Sequence, residues 1–137
     1  MSLKRSIEVT SSGTRQRFCV PTLWQRRGKE KQTLRKEILF KATEGFGAGM
    51  GTLDGVCGAL TGGLLIAGLK NSTGNLDTPK SKASTMKISK AMLTSFRDKC
   101  GALICRELKG VDSGKMLCSC PDCIKHGVEV VEKAMSN

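Results

Sequence analysis

The sequence has no tyrosine and only one histidine. With a single histidine there is no His-Glu-x-x-His site, and no Ser-His-Asp triad or pair of catalytic carboxylates can be assembled, so a hydrolase is not predicted. Long apolar runs are also missing. The longest, residues 56–69, contains four glycines and a threonine and falls short of the roughly 20 residues that span a bilayer, which predicts a buried helix instead.

The N-terminal segment lacks both the apolar run of a secretory signal and the aromatic residues of a nucleic-acid platform. Residues 1–39 hold ten Lys/Arg against three Asp/Glu, which places +7 of the net charge of +11 there. A basic arm can bind phosphate backbones non-specifically, but Phe18 and Trp24 are the only aromatic residues in the first thirty. We therefore predict an irregular basic tail over residues 1–29, no membrane anchor and a cytoplasmic location.

Cysteine, by contrast, is abundant, with seven residues in a chain of 137. The odd number, the missing secretory signal and the many aliphatic residues disfavour a secreted disulfide scaffold. In a reducing compartment such thiols more often bind metals, carry reversible redox chemistry or pack as small hydrophobic side chains. They are Cys19, Cys57, Cys100, Cys105, Cys118, Cys120 and Cys123.

Residues 30–137 are predicted to form one all-α domain, a small bundle of about four helices, because apolar residues recur at helical spacing and no segment alternates as a strand. The first helix is predicted from Glu30 to Gly45. Glycine at every second position of residues 45–51 then indicates a tight turn or a close backbone crossing. A central, glycine-rich helix is predicted from near Thr52, with Asp54 in its first turn, to Leu69.

Two further helices have clear end signals. A helix that begins at Thr78-Pro79, or a few residues later, is predicted to end at Gly101 with Met86 and Cys100 on its apolar face. A short turn or helix, residues 102–108, is closed by Gly110. The terminal helix is predicted to begin at Ser119, because Pro121 and Asp122 occupy the first-turn and capping-box positions.

The segment Cys118-Ser-Cys120-Pro-Asp-Cys123 is the most suggestive local motif. The free N–H groups and dipole of the terminal helix favour a thiolate there, so Cys123 is expected to alkylate early. A thioredoxin fold is excluded because no βαβ pattern surrounds the motif. Three thiolates can supply most of a zinc or iron–sulfur shell, with His126 as a fourth ligand or a base. An incidental cysteine-rich loop and a solvated histidine are the alternatives.

The other cysteines have individual settings. Cys57 lies in the first turn of the glycine-rich helix, a position that lowers the pKa of a thiol. Cys105 is followed by Arg106, whose charge can stabilise a thiolate unless it is simply exposed to solvent. Cys100 comes one turn after Phe96 and is expected to be buried in the core without a sulfur partner.

Three motifs and a terminal cysteine follow one another in a fixed order. They are Glu44-Gly-Phe-Gly-Ala-Gly-Met-Gly51, Cys57-Gly-Ala-Leu-Thr-Gly62, Cys105-Arg-Glu-Leu-Lys-Gly110 and Cys123. This arrangement resembles the redox-active protein family labelled C_GCAxxG_C_C, over roughly residues 38–135. The resemblance implies redox-active thiols at Cys57, Cys105 and Cys123. Members similar to this chain carry an Asn-Cys-Ala helix before the glycine-rich turn, where this chain has only Cys19, close to the helix-breaking Pro21.

The resulting prediction is a thiol/disulfide or electron-transfer protein in which the sulfurs of Cys57, Cys105 and Cys123 converge. The first alternative is a binding module for zinc or an iron–sulfur cluster that uses Cys57, Cys105, Cys120 and Cys123. The second is a binder of nucleic acid or another anionic surface through the basic tail, and this is the least favoured. The redox partner is not identified by the sequence, a homo-oligomer is left open, and the domain is not assigned to an enzyme class.

Overall fold

The computed structural model describes residue 38 and residues 41–136. The basic tail, Cys19 and most of the first predicted helix lie outside the described residues, so the predictions made for them stay predictions. Ile38 and residues 41–43 are helical, as expected near the end of that helix. A 3-10 turn, Glu44–Phe46, and one further turn, Gly47–Met50, follow it.

Four helices make up the rest of the described chain. They are α1 (Gly58–Asn71), α2 (Lys82–Cys100), α3 (Cys105–Lys109) and α4 (Cys120–Ser136). Within residues 41–136 the only β-type pairing is a single bridge between Val56 and Ile104. The predicted all-α class is therefore confirmed. None of the helices in this part of the chain is long and apolar enough to cross a membrane.

Local chemistry places several helix ends where they were predicted. α2 ends at Gly101 and α3 at Gly110, both with left-handed backbone (φ 90° and 68°) that glycine adopts without steric cost. At the start of α4, Ser119 Oγ accepts the N–H of Asp122 at 3.3 Å and donates to its carboxylate at 2.7 Å. The Ser119 hydroxyl thus caps the first turn of the terminal helix, while the Asp122 carboxylate bonds to that hydroxyl and not to the Ser119 N–H as in a full capping box.

The predicted start of the central helix near Thr52 is wrong, because residues 51–57 form turns and α1 begins only at Gly58. Asp54 is not in a helical turn; its carboxylate instead accepts a hydrogen bond from Arg106 Nε at 2.7 Å. Leu53, which lies between Thr52 and Asp54 in the sequence, has a left-handed φ of 67°, which is incompatible with a regular right-handed helix. The segment before α1 is therefore shaped by contacts with α3.

α1, α2 and α4 pack around one core, and glycine allows α1 and α4 to approach closely. A Cβ added to Gly63 of α1 would lie 2.8 Å from Val131 Cγ2, and one added to Gly127 of α4 would lie 3.1 Å from the Ala59 carbonyl oxygen. The absence of a Cβ at these two glycines therefore sets the distance between α1 and α4. The largest fully buried side chains are Phe96, Leu60, Met92, Leu108 and Val130. Met86, expected on the buried face of α2, is 61% exposed instead.

Candidate thiol site

Two short segments pair side by side and bring Cys57 and Cys105 to neighbouring positions. The N–H of Cys57 donates to the Leu103 carbonyl at 2.9 Å, and the N–H of Cys105 donates to the Gly55 carbonyl at 3.0 Å. Cys57 is the N-cap residue of α1, and Cys105 is the first residue of α3. The pairing therefore sets two helix N-termini next to each other, with a cysteine at each.

The glycine-rich turn Gly47–Met50 packs against Cys105. Its backbone is left-handed at three consecutive residues, Ala48 (φ 51°), Gly49 (φ 59°) and Met50 (φ 59°). A Cβ added to Gly49 would lie 2.6 Å from the Cβ of Cys105, so only glycine fits at this crossing. The turn predicted from the glycine spacing is confirmed, and what approaches it closely is the Cys105 side chain.

Cys57 meets Cys123 across the interface between α1 and α4. The Cys123 thiol donates a hydrogen bond to the Cys57 sulfur and thereby lowers the pKa of Cys57 from 9.0 to about 6, against the opposing effect of burial. The N–H groups of Ala59 and Leu60 lower this pKa further, although neither makes an ideal cap hydrogen bond to the side chain. Cys57 is half-buried, so the lowered pKa favours a thiolate at a sulfur that is partly exposed to solvent.

Cys123 behaves in the opposite way. Its role as the donor to Cys57, together with its burial, raises the pKa of Cys123 well above the ordinary value. The side chain is only 3% exposed, and its thiol also lies at hydrogen-bond distance, 3.8 Å, from the Cys118 carbonyl oxygen. The direction of this pKa shift is opposite to the one expected from the helix dipole, because the neighbouring Cys57 sulfur and desolvation outweigh the dipole. The early alkylation expected of Cys123 stays a prediction.

Cys100 and Cys118 extend the group of thiols into the core. Cys100 is buried, as expected, and burial raises its pKa to about 12, with the Cys118 thiol adding to the effect. The sulfurs of Cys100 and Cys118 lie within 4.8 Å of each other. The expectation that Cys100 has no sulfur partner is therefore wrong. We use the name sulfur cluster for these four side chains, which are Cys57, Cys100, Cys118 and Cys123.

Cys105 lies beside the sulfur cluster and interacts with it through charge. It is 7% exposed, and burial raises its pKa, with Lys109 acting in the opposite direction and the Cys57 and Cys120 thiolates raising it further. Cys57 and Cys123 shift each other's pKa, while the convergence of Cys57, Cys105 and Cys123 stays a prediction. For Cys105, closeness sufficient for disulfide exchange stays a prediction.

Lys109, which the sequence analysis did not select, is the cation that acts on the thiols. It lies four residues after Cys105 on α3, the spacing that puts two side chains on one helix face, and its charge lowers the pKa of both Cys57 and Cys105. Arg106, the residue selected from the sequence, is engaged elsewhere. Its guanidinium pairs with Asp54 at 2.7 Å and with Asp112 at 3.6 Å.

Three potential metal ligands also lie together at the α2–α4 end of the cluster. The ligand atoms of Cys100, Cys118 and His126 are all within 4.8 Å of one another, and the two thiols are buried while the imidazole is half-buried. Cys120, at the first position of α4, is exposed. The predicted metal ligands Cys57, Cys105, Cys120 and Cys123 stay a prediction.

Comparison with known proteins yields one family match. A family described as "Putative redox-active protein (C_GCAxxG_C_C)" matches residues 24–134. No curated protein and no solved structure matches the chain. The matched segment covers well over half of the chain and includes the glycine turn and every cysteine except Cys19.

Proposed function

The chain belongs to the C_GCAxxG_C_C family of redox-active proteins, and on that basis we propose that it is a dithiol/disulfide protein in which Cys57 attacks and Cys123 resolves. The proposal is carried by the mutual influence of these two thiols, since Cys123 lowers the pKa of Cys57 to about 6 and Cys57 raises the pKa of Cys123. A thiolate is the nucleophile in disulfide exchange, and a second thiol in contact with it is the resolving group that the reaction needs.

The proposed cycle consumes one disulfide of a partner. The Cys57 thiolate attacks a sulfur of that disulfide, the S–S bond breaks, and the departing thiolate takes a proton from solvent, which leaves a mixed disulfide on Cys57. Cys123 then loses its proton to solvent and attacks the Cys57 sulfur, and the second partner thiolate leaves and is protonated. In total the two protein thiols are oxidised to a Cys57–Cys123 disulfide, and the partner disulfide is reduced to two thiols.

The opposite pKa values of the two cysteines suit this order of events. The largest cause of the raised Cys123 pKa is its bond to Cys57. Once Cys57 is held in a mixed disulfide it carries no negative charge, so this cause disappears and Cys123 becomes easier to deprotonate. The resolving thiol is therefore restrained before attack and released after it.

Cys105 is a third thiol near this pair, because the charge of Cys57 raises the pKa of Cys105. A cytoplasmic location fits a set of free thiols that depends on a reducing environment, and the partner is expected to be a disulfide-bearing protein or small molecule. The metal-centre alternative at Cys57, Cys105, Cys120 and Cys123 is less well supported. Cys120 is exposed and Cys105 is buried, and the interaction given between them is an electrostatic effect on the pKa of Cys105.

The test is to trap the intermediates in the full-length protein. Reduced wild type is incubated with glutathione disulfide, and the products are mapped by mass spectrometry. We expect a reversible Cys57–Cys123 disulfide in wild type, a mixed disulfide with glutathione that accumulates at Cys57 in Cys123→Ser, and neither product in Cys57→Ser. Cys120→Ser, which removes an exposed thiol, is the matched control and should behave as wild type.

Two results would contradict the proposal. One is that the Cys57→Ser variant is oxidised by glutathione disulfide at the same rate as wild type. The other is a first disulfide confined to Cys100 and Cys118 while Cys57 remains free. Either would show that the low-pKa thiol is not the one that exchanges.

A further inference from the structure

We propose that Cys100, Cys118 and His126 form a metal site for a zinc-type divalent cation, separate from the Cys57–Cys123 pair and independent of the proposed redox function. None of the three belongs to the motif residues Cys57, Cys105 and Cys123 that the family resemblance marks. They come from three different parts of the fold: the last turn of α2, the segment before α4, and the second turn of α4.

The first support is the geometry of the donor atoms. All three lie within 4.8 Å of one another, so modest side-chain rotations can bring them onto one ion with Zn–S distances of about 2.3 Å and a Zn–N distance of about 2.0 Å. The backbone around Cys118 is fixed, since its N–H donates to the Leu108 carbonyl at 3.2 Å. The ligands are thus gathered by the folded chain before any ion arrives.

The second support is the hydrogen-bond network behind His126. Glu129 Oε2 lies 3.3 Å from His126 Nδ1 and accepts a hydrogen bond from Lys99 Nζ at 2.9 Å. A carboxylate on one ring nitrogen fixes the tautomer and orientation of a metal-binding histidine and leaves the other nitrogen to the ion. Here that nitrogen is Nε2.

The donor types select the class of ion. Two thiolates and an imidazole suit zinc and disfavour calcium or magnesium, which take oxygen ligands. Three protein ligands leave a fourth tetrahedral position for water or another small ligand. Each thiol releases one proton to solvent as it binds, and no electron is transferred. The two thiolate charges neutralise the dication, which makes burial of both sulfurs compatible with an occupied site.

The test uses full-length protein, fully reduced and free of metal, under anaerobic conditions. Titration with Co²⁺ is followed by the visible bands of tetrahedral cobalt and the near-ultraviolet thiolate-to-cobalt absorption, and Zn²⁺ affinity is measured by competition with a chromophoric chelator. We expect one equivalent of metal. His126→Gln should weaken Zn²⁺ binding by more than the roughly 10–100-fold typical of an outer-shell change, and Glu129→Gln by about that amount.

Two substitutions serve as controls, because they change thiols outside the proposed ligand set. Cys57→Ser and Cys120→Ser should keep the Zn²⁺ affinity and the cobalt spectrum of wild type. His126 is 29% exposed, so His126→Gln should remain folded where a core cysteine variant can fail, and thermal unfolding of the metal-free proteins checks this.

The proposal is overturned if reduced wild type binds no Co²⁺ or Zn²⁺. It is also overturned if Cys57→Ser or Cys120→Ser abolishes binding while His126→Gln preserves it, which would move the metal to the set that includes Cys57, Cys105, Cys120 and Cys123. Neither outcome bears on disulfide exchange at Cys57, which is measured separately with glutathione disulfide.

Discussion

Cys57 and Cys123 both lie near helix N-termini, but the pKa of Cys57 is lowered and that of Cys123 is raised. Cys57 is the N-cap of α1. Its pKa is lowered because its sulfur accepts a hydrogen bond from the Cys123 thiol and interacts with the N–H groups of Ala59 and Leu60. Cys123 is the fourth residue of α4, and its own N–H is already bonded to the Ser119 carbonyl at 2.8 Å. The N-cap position, rather than the first turn in general, is where the free N–H groups can stabilise a thiolate.

The difference also depends on exposure. Cys57 is half-buried at the end of α1, whereas Cys123 is 3% exposed in the interface of α4 with the core. A buried thiol next to an existing thiolate cannot ionise without placing two negative charges together in a low-dielectric region. The pair therefore holds one charge, and it resides on the more accessible sulfur.

Separating α1 from α4, the helices that carry Cys57 and Cys123, should reduce the difference between the pKa values of the two thiols. Gly63→Ala places a methyl group 2.8 Å from Val131 Cγ2 and should lower the free energy of unfolding by roughly 1–3 kcal/mol through overpacking. It should also raise the pKa of Cys57, because α1 and α4 are pushed apart. Chemical denaturation and the pH dependence of alkylation measure the two effects.

Gly68→Ala is the matched control on the same helix. A Cβ at Gly68 meets no atom within 4 Å, so this substitution should raise the free energy of unfolding by up to about 1 kcal/mol through helix propensity. Equal effects of the two substitutions would show that the α1–α4 contact is not as tight as described.

A smaller effect on the pKa of Cys57 is expected from removal of the Lys109 charge. Lys109→Gln removes a charge that lowers the pKa of both Cys57 and Cys105. Because this charge is the smallest cause for Cys57, its loss should raise that pKa by less than about one unit, and the effect should shrink in high salt. Lys115→Gln, in the exposed loop before α4, should leave it unchanged. A shift of the same size in both variants would indicate general charge rather than Lys109.

Local chemistry explains which parts of this fold could be predicted. Gly101, Gly110 and Ser119 end or begin helices through interactions within a few residues, so the sequence alone locates them. The start of α1 depends on pairing of residues 55–57 with residues 103–105, a long-range contact that moves the start away from the predicted position near Thr52. Sequence spacing gives no indication of such a pairing.

The candidate site divides in the same way. The position of Cys57 near the start of the glycine-rich helix pointed to a lowered pKa, the direction that the structure gives. The raised pKa of Cys123 and the contact of Cys100 with Cys118 depend on how α1, α2 and α4 meet. A helix dipole can be inferred from one segment, but a neighbouring thiolate on another helix cannot.

The rate of alkylation is a weak measure of the central claim. At pH 7 a pKa of about 6 gives roughly 90% thiolate where a pKa near 9 gives roughly 1%. The less basic thiolate is, however, intrinsically slower by roughly 20-fold over three pKa units, so the net gain is only about 4-fold. The midpoint of the pH profile is free of this compensation.

The most direct test is therefore the pH at which alkylation of Cys57 by iodoacetamide reaches half its maximal rate, followed by mass spectrometry of the reduced, metal-free protein. Wild type and the control Cys120→Ser should give a midpoint near pH 6, with reactivity lost below it as the thiolate is protonated. Cys123→Ala, which removes the thiol donor, should shift the midpoint upward, toward the value of about 8.5 for a free cysteine. A wild-type midpoint near 8.5, or the same midpoint in Cys123→Ala as in wild type, would contradict the account.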